Sequence, residues 1–231
     1  DAILKDKNIA IGNGAEYTNV FPLLHSEGVQ NHWKTTTEQK RVFLLTRSAF
    51  LGQQRVGATM WSGDVFSSYW GLSHQIPAGL NFALSGLPYW TTDIGGYWPV
   101  YPGQIQDPAY QDLYLRWFQF GVFCPIFRTH GHRPHNEMWS YPKVEPELIE
   151  YDRLRYRLLP YIYSMAWMVS SQDYTMQRPL VMDFQDDPKT WNIGNQFMFG
   201  PAMLVNPVTE SNVTERRVYL PKAAAWYNFG K

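Results

Sequence analysis

The sequence predicts an α/β fold built on parallel strands, and two observations predict it. Short, nearly continuous apolar runs alternate with segments of helical periodicity, and each run ends in polar or glycine-rich residues. Strands covered on both faces read as such runs, and their alternation with helices implies βαβ units in a parallel sheet or barrel. The second observation concerns direction. In four runs the residues with chemistry to offer, Arg47, Asp64, Asp93 and His130, sit at the C-terminal end. A parallel barrel gathers its active site at that end of its strands.

Taken in order, the first strand is "RVFLLTRS" (residues 41–48) and the second "GATMWSGD" (57–64). A helix over 65–82 is expected next, with apolar residues at mixed spacings of three and four. The third strand is "GLPYWTTDIGG" (86–96), and Leu113, Trp117 and Phe120 mark a helix over 108–121. "VFCPIFRTHG" (122–131) reads as the fourth strand. The stretch from Glu145 to Gln172 is a long amphipathic helix, bent or interrupted at Pro160. After it, "RPLVMDF", "QFMFGPAMLVNPV" and "RRVYLPKAAAWYNFG" are separated by Asp, Pro and Asn turns, and the last reads as the beginning of an antiparallel β region. The expected division is therefore 1–172 for the strand–helix part and 173–231 for the β part.

Composition narrows the function classes. Of 231 residues, 17% are charged and 16% aromatic, which suits a buried core with rings to spare for a cleft and argues against disorder. Lys+Arg and Asp+Glu balance at 20 each, so no charge footprint points to nucleic acid or an anionic membrane. A neutral polyol such as a sugar fits this surface. No run has the length of a membrane span. The single cysteine, Cys124 in "VFCPIF", reads as a small buried hydrophobe.

Each candidate residue has a plain structural reading beside its chemical one. Asp64 in "WSGD" is placed to cap the following helix. Alternatively it is a general acid/base, its carboxyl partly desolvated by Trp61. Arg47 either pairs with a carboxylate inside the sheet or forks hydrogen bonds to sugar hydroxyls. Asp93 is a turn residue before Gly95-Gly96 or an acceptor for ring hydroxyls. "HGHRPH" offers His130, His132 and His135. These could bind zinc, but nothing completes a ligand set, so His130 is read as a hydrogen-bonding strand-end residue and the other two as loop residues. Trp61, Trp90, Tyr97 and Trp98 are core residues or platforms for pyranose faces.

Together the motifs "FLLTRSAFLGQQR", "WSGD", "GLPYWTTDIGGY", "RWFQFGVFCPIFRTHG", "YDRLRYRLLPYIY" and "FGPAMLVNPV" resemble glycoside hydrolase family 31, the α-glucosidase and α-xylosidase family. They run in family order over nearly all the chain from about Arg41. The resemblance implies the second half of a (β/α)8 barrel, strands five to eight, followed by the start of a C-terminal β-sandwich region. It places the general acid/base at Asp64 and a substrate-binding role at Arg47, Trp61, Asp93, Tyr97 and His130. It implies no metal and no cofactor. The look of "GLPYWTTDIGGY" is nearest to bacterial α-xylosidases.

The resemblance also implies a retaining reaction, which needs two carboxyl groups. The family's nucleophilic Asp stands in a "W-x-D" motif before the part present here, and neither Asp1 nor Asp6 is assigned its role. The expectation is a fragment of a larger enzyme, with an oligosaccharide substrate and the rest of the enzyme, or a second chain, completing the barrel. The alternatives are an α-glucosidase or transglycosylase of the same family, an α-glucan lyase, and a non-catalytic carbohydrate-binding fragment.

Overall fold

The computed structural model describes residues 6–37, 39–133, 135–222 and 225–230. Asp1 lies outside the described residues. The chain divides into two compact units, Asp1–Trp61 and Ser62–Lys231.

The first unit opens with a short antiparallel pair, β1 (Asn8–Ile9) and β2 (Gly12–Asn13), and a single helical turn, α1 (Gly14–Tyr17). Asn13 caps that turn by accepting from the Ala15 amide at 2.8 Å. Helix α2 (Phe21–Thr36) follows, then β3 (Leu44–Thr46) and β4 (Ala58–Trp61), which pair in parallel with Leu44 opposite Ala58. A buried glutamine ties these parts together. The Gln53 amide donates to Ser26 on α2 at 3.2 Å and to Thr46 on β3 at 3.1 Å, and accepts from the Phe50 amide at 3.0 Å. A polar side chain is tolerated there because its amide is used from both ends.

The second unit carries α3 (Tyr69–Leu84), β5 (Trp90–Thr91) and α4 (Pro108–Gly121). Asp107 caps α4 by accepting from the Ala109 amide, with Pro108 at the first helical position. Buried Leu113, Tyr114, Trp117, Phe118 and Phe120 make α4 the most heavily buried helix of the unit. The long helix expected around Pro160 is two helices, α5 (Glu145–Arg157) and α6 (Leu159–Gln172), with Leu158 between them. Pro160 sits in the first turn of α6, where its missing N–H goes unnoticed. An antiparallel sheet closes the chain: β6 (Gln177–Pro179) pairs with β7 (Phe197–Phe199), and β7 with β8 (Met203–Val205), with the turn α7 (Leu180–Asp183) after β6.

Three expectations change. The helix placed at 65–82 starts only at Tyr69, because Ser68, not Asp64, caps it by accepting from the Gly71 amide at 3.0 Å. The strand placed at 122–131 reduces to one parallel bridge between Thr129 and Ile94. Pro125 has no N–H to give a ladder, and the carbonyls of Val122, Cys124 and Pro125 are taken by the buried Arg155 guanidinium instead. Finally, "RRVYLPKAAAWYNFG" forms no strand among its described residues. There the Gln196 side chain does a strand's work, donating to the Tyr219 carbonyl at 2.7 Å and accepting from its amide at 2.9 Å.

Cys124 is fully buried, and burial pushes its thiol up to about 12 against the pull of Arg155 and Gln177. A thiol in that state is unreactive. Iodoacetamide near neutral pH will therefore leave the native chain unmodified and label it once in urea, as read by mass spectrometry. Labelling of the native chain would contradict the placement.

Candidate active site

Beyond β4 the backbone turns away through Ser62 and Gly63, and Asp64 is presented half-buried on the exit loop. What holds this loop is backbone. The Val65 carbonyl accepts from the amides of Tyr97 at 2.7 Å and Trp98 at 3.1 Å, and the Ser67 amide donates to the Trp98 carbonyl at 2.8 Å. Phe66 and Trp98 thereby form a parallel bridge. The Tyr97 carbonyl in turn accepts from the His132 amide at 2.8 Å. Residues 64–67, 93–98 and 129–133 are laced into one frame.

Gly96 is what lets the first two segments meet. Its φ is +78°, and a Cβ built there would stand 2.6 Å from the Ser67 Cα. Both the left-handed backbone and the contact with main chain demand glycine.

Arg133 clamps the second segment to the third. Its guanidinium, buried, donates to the carbonyls of Gly96, of Ile94 at 2.7 Å and of His130 at 3.2 Å, and its Nε to the Tyr141 hydroxyl at 3.0 Å. The rings of Tyr110 and Tyr114 stand 5.7 Å away. Nothing in "HGHRPH" singled this residue out. An arginine flanked by histidines and proline reads as solvated loop, and only the facing carbonyls reveal its role.

The two acids of the frame differ sharply. Asp93, two residues beyond β5, is 0% exposed. Its Oδ1 is ion-paired with Arg128, also passed over in the sequence, while its Oδ2 has no hydrogen-bond partner among the described residues. Burial pushes the Asp93 carboxyl up from its ordinary range; Arg128 and His130 pull it down, and the Asp64 charge acts with burial. Asp64 and Asp93 are thus within electrostatic reach of each other. One is half-buried and the other is enclosed.

His130 is exposed and packs with Tyr97, ring centroids 5.7 Å apart, and Tyr97 lies edge-on to Trp98 at 4.8 Å. The histidines thus keep aromatic company. Among the described residues no group of three or more His, Cys, Asp or Glu side chains could hold a metal ion. In the first unit, Arg47 follows β3 and its guanidinium lies 5.9 Å from the ring of Trp61, the last residue of β4. Arg47 directly follows β3, Trp61 ends β4, and His130 directly follows the Thr129 bridge. Asp64, Asp93, Tyr97 and His130 share one frame, and Arg47 and Trp61 share another.

Residues 4–165 match the model of the glycosyl hydrolases family 31 TIM-barrel domain, and residues 173–231 match that of the family 31 C-terminal domain. An α-xylosidase of Saccharolobus solfataricus is 49% identical over 227 residues, 98% of this chain and 30% of that protein. Human neutral α-glucosidase C is 34% identical, over 93% of this chain and 23% of its own length. The crystal structure of a family 31 α-xylosidase from Xanthomonas citri superposes with a TM-score of 0.89 at 44% identity, covering 93% of this chain and 24% of the other. The chain therefore spans about a third or less of the length of these relatives.

Two measurements test the frame. Gly96→Ala will destabilise the chain by more than about 1 kcal/mol in urea unfolding, because an Ala there meets both strain and main chain. A neutral result would mean that the two loops are not in contact. The second concerns pH. Because the native Asp93 carboxyl is raised, the folded chain binds its proton more readily than the unfolded chain does. Its contribution to stability is most favourable in acid and declines as pH rises through the raised value. The unfolding free energy of wild type relative to Asp93→Asn will fall over that range, and a rise would mean that Arg128 outweighs burial.

Proposed function

This chain belongs to glycosyl hydrolase family 31, and we propose that it is the acid/base-bearing part of a retaining exo-glycosidase removing terminal α-linked xylose. The observation that carries the reading is the state of Asp64. It does not cap α3, stays half-buried at the exit of a strand, and its loop is held by backbone bonds to the Asp93 segment, which is bonded in turn to the His130 segment. The α-xylosidase names of relatives at 49% and 44% identity support xylose as the sugar. Glucose is the alternative, supported by the α-glucosidases among the relatives.

Retention requires a second carboxylate about 5–5.5 Å from the first. Asp93 is a poor choice. It is enclosed, committed to Arg128, and pushed toward its neutral form by burial. We therefore assign the nucleophile to a part of the enzyme outside this chain, in keeping with the third or less of the relatives that the chain spans. In the same reading residues 1–172 supply strands five to eight of a (β/α)8 barrel and residues 173–231 begin the C-terminal β region. The remainder of the barrel comes from the same enzyme or from a partner chain.

The reaction then runs in two displacements. The outside carboxylate attacks the anomeric carbon as the glycosidic C–O bond breaks, and Asp64 passes its proton to the departing oxygen. Asp64, now a carboxylate, takes a proton from water, whose oxygen displaces the enzyme ester and restores the α configuration. In this assignment Arg47 and His130 hold ring hydroxyls, Tyr97 and Trp61 shape and dry the subsite, and Asp93 orients Arg128 behind it.

The test is hydrolysis of aryl α-xyloside and aryl α-glucoside by the enzyme that contains this chain. Asp64→Asn is expected to lower kcat on the natural glycoside by about 100-fold or more, the span of one general acid. Faster turnover of the xyloside supports the xylosidase reading. Preference for the glucoside moves the assignment to α-glucosidase, and an unaffected Asp64→Asn variant defeats it. Longer oligosaccharide products would indicate transglycosylation, and unsaturated sugars a lyase.

A further inference from the structure

Next to Asp64 stand three rings that the reaction above does not use: Phe66, Trp98 and His132. Phe66, two residues on, is 58% exposed, and Trp98 is 41% exposed. The backbone bridge sets them side by side. His132, also exposed, packs on Trp98 with ring centroids 5.2 Å apart, and Tyr97 closes the group from behind Trp98. Phe66 and Trp98 are held in place by the backbone bonds that also hold the Asp64 loop. They form a rigid ledge, two apolar ring faces and one imidazole, beside the candidate acid.

From this placement we propose that Phe66, Trp98 and His132 form the platform for the leaving-group sugar and determine which aglycones the enzyme accepts. The inference rests on the assignment of Asp64 as the acid/base. A general acid must touch the glycosidic oxygen within hydrogen-bond reach. The sugar attached to that oxygen on the departing side consequently lies against whatever flanks the acid. A pyranose presents an apolar C–H face and a rim of hydroxyls. The ledge answers both features, with ring faces for the one and the imidazole nitrogens of His132 for the other. Exposed rings so close together are also unfavourable in water unless something is to cover them. This gives a use to the second histidine of "HGHRPH", which the metal reading left without one.

The platform acts only on substrates that carry a leaving-group sugar, which makes it separable from both the chemistry and the fold. The experiment compares two substrates sharing one glycone in the complete enzyme: the α-glycosyl fluoride, whose leaving group has no ring, and the xylosyl-α-(1→6)-glucose disaccharide. Trp98→Ala is expected to leave kcat/KM on the fluoride within about twofold and to lower it on the disaccharide about tenfold or more, chiefly through KM. Trp98→Phe should recover most of the loss. Equal losses on both substrates would overturn the proposal and mark Trp98 as a packing residue covered by another segment of the enzyme. No loss on either would overturn it as well. Failure of wild type to hydrolyse both substrates would instead strike at the glycosidase reading. In that case saturation-transfer NMR of the disaccharide on this chain, with and without Trp98→Ala, decides the platform without turnover. A signal from the glucose ring that the substitution removes supports it, and its persistence or absence in wild type refutes it.

Discussion

The Arg133 guanidinium is the constraint on which the frame around Asp64 depends. It is a buried cation met by carbonyl oxygens and a phenol rather than by a carboxylate. A charge taken from water is stable only where its donors are answered, and here three carbonyls, one hydroxyl and two flanking tyrosine faces answer them. Those carbonyls belong to Ile94, Gly96 and His130, on two separate segments. With the guanidinium in place, neither segment can shift without stranding a donor. Lysine could not substitute, because one ammonium cannot span carbonyls set around a planar fork.

The frame so fixed sorts its groups by exposure. Backbone bonds consume the amides and carbonyls of Val65, Ser67, Tyr97 and Trp98, so the loop that carries Asp64 is tied to the 93–98 segment by main chain. Phe66, Trp98 and His130 are exposed, and Asp64 is half-buried. Gly96 follows from the same economy: the bonds between Val65 and Tyr97 require main chain against main chain, at a separation that leaves no room for a Cβ. Preorganisation of this type lets a site stabilise a transition state without rearranging as charge develops.

Much of this was legible in the sequence, and the parts that were not have identifiable causes. Strand positions followed from apolar runs, because β3, β4 and β5 are read by local pattern. The run at 122–131 has the same apolar pattern, yet its carbonyls are claimed by Arg155 from 30 or more residues away. No local rule contains that contact. Whether Asp64 caps α3 turned on where that helix begins, and Ser68 is as good a cap as Asp64, so propensity alone was silent. Arg128 and Arg133 were missed because a buried arginine and a solvated one have the same one-letter surroundings. Gln196 was missed for a related reason: a side chain imitating a strand leaves no periodicity.

The two acids show how one frame gives the same functional group two environments. Asp93 is fully buried and paired with Arg128, and its carboxyl is disfavoured as an anion despite that partner. Desolvation outweighs the nearby charge, so the ion pair is better understood as orienting Arg128 than as stabilising the fold. Asp64 keeps a share of solvent and a short path to any oxygen presented beside it, as a group must if it is to give up a proton and later recover it. A nucleophile needs a different setting again, ionised and open to the anomeric carbon. Under the proposed reading neither acid of this frame offers that setting while the other role is filled, so the nucleophile is sought outside it.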